Sequence, residues 1–217
     1  MYTLEQYLKG VVPAEIGNSH IEACKAQAIA SRTYAWFQQD ENGNIIDPEA
    51  IGQAFSEIRM QSGSYPNAHK AVEETAGLLL YYDGKIINSC PYSASNGGKI
   101  TSSKERWGGH RAWLVSKEDP WDLAATGGKK RGHGVGMSQE GAAYAARQGF
   151  SCEEILAFYY PGCVIRKVGE PAMDKAAKVK EWALSRVGCP YVYGGTGKTC
   201  TVSYRQQRAE QYPESAE

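Results

Sequence analysis

Apolar residues near the start of the chain recur at helical rather than alternating intervals. Leu4, Tyr7 and Leu8 follow Thr3-Leu-Glu-Gln6, a capping-box spacing, and predict a short helix over 4–10 ended by Gly10. Ser19-His-Ile-Glu22 repeats that signature and opens an alanine-rich helix running to about Gln39. One stripe of that helix is Ala23, Ala26, Ala30 and Tyr34, with Gln27 as its polar neighbour; Lys25, Ile29, Arg32 and Trp36 form a second. Residues 40–66 are polar, punctuated by Gly, Asn and Pro, and read as a long loop. A helix is expected over 67–75, then a hairpin turning at Asp83-Gly84 and a strand end running into CPYSASNGG. The segment from Trp107 to Trp121 predicts a loop and a short strand, and GGKKRGHGVGMSQEG a glycine loop leading into a helix capped by Ser138. A helix capped by Ser151 and a strand over 164–168 complete an α+β pattern of helices and short strands. Residues 169–174 read as a linker and Lys175–Val187 as an amphipathic helix.

Charge narrows the function classes. The chain has 24 basic and 24 acidic residues, which gives no support to nucleic-acid binding. Its 14 tyrosines and 5 tryptophans suit a flat polar partner such as a carbohydrate. No apolar run reaches membrane-spanning length, and no signal peptide opens the chain, so an export signal or anchor is expected to be absent from this chain. The cysteines at 24, 90, 152, 163, 189 and 200 form no C-x-x-C pair and signal neither a structural zinc site nor a disulfide framework.

One carboxylate stands out. Glu15 is set among Val11, Val12, Pro13, Ala14 and Ile16. Two readings are open: a glutamate on a surface loop, or a proton donor whose hydrocarbon surroundings favour the neutral acid. Lys25 and Arg32 are either a helix face and packing residues or anchors for substrate. Ser95, Asn96 and Gly97, with His133, Ser138 and Gln139, are either turn and cap residues or the walls of a cleft. Tyr159 and Tyr160 read as core or as phenols near a sugar, and Trp107 and Trp113 as core or as stacking faces.

YLKGVVPAEI, EACKAQAIASRTYAW, YSASNGGKIT, GHGVGMSQEGA and FYYPG follow in order within residues 1–168. Together they resemble the SpoIID/LytB domain of bacterial sporulation and cell-wall proteins. The resemblance implies a lytic transglycosylase that cuts the glycan strands of peptidoglycan, with Glu15 as the catalytic acid/base. It implies site positions at Lys25, Arg32 and the Tyr159-Tyr160 pair, and brings His133 toward the site. Relatives carry a histidine in the stretch matching Tyr92–Ser95 and a cysteine-containing zinc site. Here the stretch is YSAS, so no metal and no cofactor are expected. AKVKEWALSRVGCPYVYGGTGKTC resembles the opening of an NlpC-type peptidase with Cys200 as its nucleophile. With no histidine after 133, residues 175–217 are expected to be an incomplete, inactive segment.

The implied partners are peptidoglycan glycan strands and an amidase or other wall-remodelling protein, and the implied location is extracytoplasmic, at the cell wall. Two rivals stand beside the lytic reading: a non-catalytic wall-binding amidase enhancer, and a hydrolase with Asp119 or Asp122 as its second carboxylate.

Overall fold

The computed structural model describes residues 1–170, of which Met1–Gly169 form one compact unit. The NlpC-like segment and Cys200 lie outside the described residues. The architecture is α+β, helices joined by short strands in several small sheets.

The chain opens with β1 (Tyr2–Thr3) and α1 (Leu4–Glu15), followed by α2 (Ile21–Ala35), β2 (Asn44–Ile45), α3 (Glu57–Gln61) and α4 (Pro66–Glu74). Thr3 and Gln6 close the expected capping box, but α1 does not stop at Gly10. Gly10 is a packing residue there: a Cβ on it would lie 2.4 Å from Cε2 of Phe55, whose ring stacks on Tyr7. The helix also carries Pro13 in its last turns, and the Ile16 N–H closes it on the Val12 carbonyl. Glu15 is therefore the last residue of a helix rather than part of a loop. The cap of α2 also moves by one residue, since His20 accepts from the Glu22 N–H through Nδ1.

α2 is buried on nearly all sides because its small residues let neighbours approach from every direction. Ala23, Ala26, Ile29 and Ala30 enter one core cluster; Cys24, Ala28 and Ala35 enter another with Leu8, Val11 and Val12 of α1. Arg32, fully buried in α2, ties the elements around it together. It makes a two-pronged pair with Glu5 of α1, at 2.8 Å on each prong. Its remaining N–H groups reach Thr75 Oγ1, the Val72 carbonyl and the Leu78 carbonyl.

The chain continues through β3 (Leu78–Tyr82), β4 (Lys85–Ile86), β5 (Tyr92–Ser93), β6 (Ser95–Asn96) and β7 (Lys99–Ile100). Then come α5 (Ser103–Trp107), β8 (Lys117–Glu118), α6 (Pro120–Thr126), β9 (Lys130–Arg131) and β10 (Met137–Ser138). It ends with α7 (Gln139–Arg147), α8 (Cys152–Tyr159) and β11 (Val164–Lys167). The expected hairpin is β3–β4, with Asp83 and Gly84 both at positive φ, and β11 pairs antiparallel with β3. α5 ends at Trp107, β8 supplies the expected short strand, and α6, capped by Asp119, begins where only that strand was expected to end.

Two devices fix the loops near Glu15. Asp122 is fully buried and gathers the Asn96 and Gly98 N–H groups and the hydroxyls of Ser138 and Thr126 on its carboxylate. Asp119, equally buried, holds the Asn96 amide at 2.7 Å. The parallel pairing of β5 with β10 then requires Gly136 at φ +70, where an added Cβ would sit 2.0 Å from the Pro91 carbonyl oxygen. No side chain fits at that approach, so this glycine is needed for β10 to deliver α7.

Candidate functional site

Glu15, at the C-terminal end of α1, meets Gln139, the first residue of α7, 124 positions away in sequence. The Gln139 amide donates to Glu15 Oε2 at 3.0 Å, and the Ala54 backbone N–H donates to Oε1 at 2.7 Å. Both oxygens are thereby fixed. Glu15 is half-buried and makes no salt bridge among the described residues. Its immediate surroundings are amides and phenols, in place of the hydrocarbon walls expected from its sequence neighbours. Those neighbours, Val11, Val12 and Pro13, point into the core instead.

A continuous hydrogen-bonded path leads from Glu15 into the protein. The Gln139 amide also donates to Gln27 Oε1 at 3.3 Å, and the Gln27 amide donates to Ser31 Oγ at 2.9 Å. Ser31 donates to the Tyr92 hydroxyl at 3.1 Å, and the Gln53 amide donates to the same oxygen at 2.6 Å. Tyr7 donates to Gln53 Oε1 at 3.0 Å, and Ala54, next in sequence, closes the circuit on Glu15. Burial, joined by the negative charge of Glu15, pushes the phenols of Tyr7 and Tyr92 up from their ordinary values. Both remain neutral donors and acceptors.

Two cavities share Glu15. One, of about 410 Å³, is walled by Tyr34, Gln53, Tyr92, Trp107 and His133. The other, of about 450 Å³, is more polar, with Asn18, Gln139, Glu140, Arg131 and Arg147. Trp107 is exposed, and its ring lies 5.3 Å from that of His133 at a tilted angle, forming an aromatic ledge. His133 Nδ1 accepts from the Val135 N–H.

Burial pushes the His133 imidazole below its ordinary value, a tendency opposed by its bond with the Tyr92 backbone and reinforced by the charges of Arg106 and Lys130. An unfolded chain takes up this proton near pH 6.5, before the folded protein does, so His133 costs stability as pH falls below that value. Urea midpoints at pH 7.5 and 5.5 are expected to differ less in His133→Asn than in the wild type; an equal difference would remove His133 from the acid sensitivity.

The structure gathers Trp107, His133 and Gln139 at Glu15 and places the remaining site candidates elsewhere. Lys25 is held at 2.9 Å by both Glu22 and Glu74, which raise its affinity for its proton, and Arg32 is enclosed with Glu5. Ser95 donates to the Lys129 carbonyl, Asn96 belongs to the Asp119–Asp122 latch, and Gly97 supplies a positive-φ turn beside it. Ser138 caps α7 and bonds Asp122. Tyr159 is buried against Trp121 and Phe158, and Tyr160 donates to the Pro91 carbonyl. Of these, Ser95, Asn96, Ser138 and Tyr160 hold the segments beside the site in place. Asp119 and Asp122, the candidates for a second carboxylate, are committed to the same latch and line neither cavity. Among the described residues, Glu22, Cys152 and Glu153 are close enough to share an ion, but Glu22 is engaged by Lys25 and the Cys152 N–H.

Sequence reasoning missed Tyr92, Gln53, Ser31 and Tyr7. The one local signal was Gln27 and Ser31, a polar pair at i, i+4 on the alanine stripe.

Residues 1–82 match the SpoIID family model, described as stage II sporulation protein. The chain is 38% identical over 116 residues to the amidase enhancer of Bacillus subtilis (strain 168), an alignment covering 53% of this chain and 15% of that protein. It is 26% identical to stage II sporulation protein D of Bacillus amyloliquefaciens, over 73% of each chain. It is also 26% identical to the same protein of Bacillus subtilis (strain 168), over 75% of this chain and 74% of the relative. The matched stretch of 1–82 contains Glu15 and α2, so it includes one wall of the site. Among the described residues, no helix is long and apolar enough to cross a membrane.

Proposed function

We propose that this chain is a peptidoglycan lytic transglycosylase that cleaves the MurNAc–GlcNAc backbone and leaves 1,6-anhydro-MurNAc ends. The observation that carries this reading is an oriented carboxyl, Glu15, at the meeting point of two cavities, where the other carboxyl, Glu140, is paired with Arg131. A strand lying across both cavities presents a glycosidic bond to that carboxyl.

Glu15 in its acid form protonates the glycosidic oxygen as the bond to the anomeric carbon breaks. The resulting carboxylate then takes the proton of the muramic acid C6 hydroxyl as O6 bonds to that carbon. The proton lost in the first step is regained in the second, and no water enters. One acid/base therefore suffices where a hydrolase needs two carboxyl groups. The Ala54 N–H and the Gln139 amide hold Glu15 in place, and the Trp107–His133 ledge offers a face for a sugar ring. On this reading the protein acts outside the cytoplasm, at the cell wall, on glycan strands and beside an amidase or other wall-remodelling protein.

The likeness to an amidase enhancer favours a second reading, a wall-binding module that stimulates a partner amidase without cutting glycan itself. Mass spectrometry of purified glycan strands after incubation with the protein separates the two. Anhydro ends are expected. Reducing ends would mean hydrolysis, and intact strands with stimulation of an added amidase would favour the enhancer.

A further inference from the structure

We infer that the Tyr92 hydroxyl is a second catalytic group, a neutral hydrogen-bond donor to the sugar oxygen that leaves as Glu15 protonates it. The inference rests on the glycan-cleaving reading above and adds a residue to it. A phenol oxygen can accept two hydrogen bonds and donate one. Both acceptor positions of Tyr92 are taken, by Ser31 Oγ at 3.1 Å and the Gln53 amide at 2.6 Å. The Gln27 amide donates to Ser31 Oγ, and the Ser31 hydroxyl in turn donates to Tyr92. What remains to Tyr92 is its own O–H, and Tyr92 lines the cavity that also contains Glu15, Trp107 and His133.

The surroundings keep that group a donor. Burial and the nearby Glu15 charge oppose ionisation of the phenol, so it offers a proton to a bond without giving it up. β5 sets the ring by pairing Tyr92 with Met137, and α2 supplies Ser31, so the hydroxyl is held by rigid elements. A donor fixed before the reaction favours the state in which negative charge grows on the leaving oxygen, and does so without reorganising at that moment.

The test is steady-state kinetics of Tyr92→Phe on purified glycan strands, counting anhydro ends. The substitution keeps the ring and removes only the hydroxyl. A donor used in the transition state predicts a fall in kcat of about tenfold or more with KM within about twofold. A kcat within about twofold of the wild type, or a change confined to KM, would overturn the assignment. Losing this hydroxyl leaves Ser31 and Gln53 short of an acceptor, so folding is checked by thermal melting. A second measurement, 3-fluorotyrosine introduced at position 92, retains both hydroxyl and packing. A catalytic donor predicts an altered kcat, and a merely structural phenol an unaltered one. Wild-type protein that yields no anhydro ends would sink the glycan-cleaving reading and this one together. Wild-type cleavage matched by Tyr92→Phe would sink this one alone.

Discussion

Glu15→Gln is expected to lower the yield of anhydro ends by at least about a hundredfold, the lower range of what a positioned acid/base contributes. The substitution keeps side-chain length and shape and removes the proton that moves. It also makes a specific demand on the site. Glu15 accepts through both oxygens, from the Ala54 N–H and the Gln139 amide. A glutamine can keep the first bond, but its own NH₂ then faces the NH₂ of Gln139. Relief requires the Gln139 amide to flip, which takes a donor away from Gln27 Oε1. The cost is one impaired buried hydrogen bond, about 1–3 kcal/mol, too little to unfold a domain of ordinary stability. Glycan binding, measured by co-sedimentation with insoluble wall, should therefore persist while cleavage is lost. Normal cleavage by the glutamine variant would remove Glu15 from the chemistry.

The elements that could be read from the sequence are those whose signals are local. Thr3 with Gln6 and Ser151 with Glu154 form capping boxes in the structure as their spacing requires, and Asp83-Gly84 makes the expected tight turn. The errors have physical causes. Gly10 looked like a helix stop, because nothing nearby in sequence shows that Phe55 lies against it. α6 is short and begins at a proline, so it carried no periodicity to detect, although Asp119-Pro120 is an adequate start signal in retrospect.

The site was harder to read than the fold. Glu15 stood out because it was the lone carboxylate in an apolar stretch, yet that stretch faces the core and the carboxyl faces amides. The partners that define its environment, Gln139, Ala54 and Tyr92, come from distant segments brought together by tertiary packing. Asn96 and Ser138 drew notice for a related reason. They sit in short strands close to the cleft, and their polar atoms are spent on Asp119 and Asp122, which keep those strands in place.

Arg32 provides the sharpest separation between support and catalysis. Arg32→Met is expected to destabilise the protein, read as a lower urea midpoint, by about 1–3 kcal/mol for each buried acceptor that loses its donor. The guanidinium is fully enclosed, and its partners include Thr75 Oγ1 and the carbonyls of Val72 and Leu78. Those groups lose a donor and have no water to replace it. Glu5 suffers less, since its side chain is 38% exposed and can be rehydrated. Arg32→Lys should recover little, because an ammonium cannot reproduce the two-pronged contact while reaching three further acceptors. Lys25→Met is the counterpart. Its pairs with Glu22 and Glu74 are partly exposed, so its loss should stay within about 1 kcal/mol. The two cations, both drawn from one stretch of sequence as possible substrate anchors, thus part company on stability. They should agree on activity: at a temperature where Arg32→Met is still folded, kcat/KM per folded molecule should match the wild type for both variants. A large fall in kcat/KM for folded Arg32→Met would show that the enclosed guanidinium reaches the substrate after all, through a motion that opens the Glu5 pair.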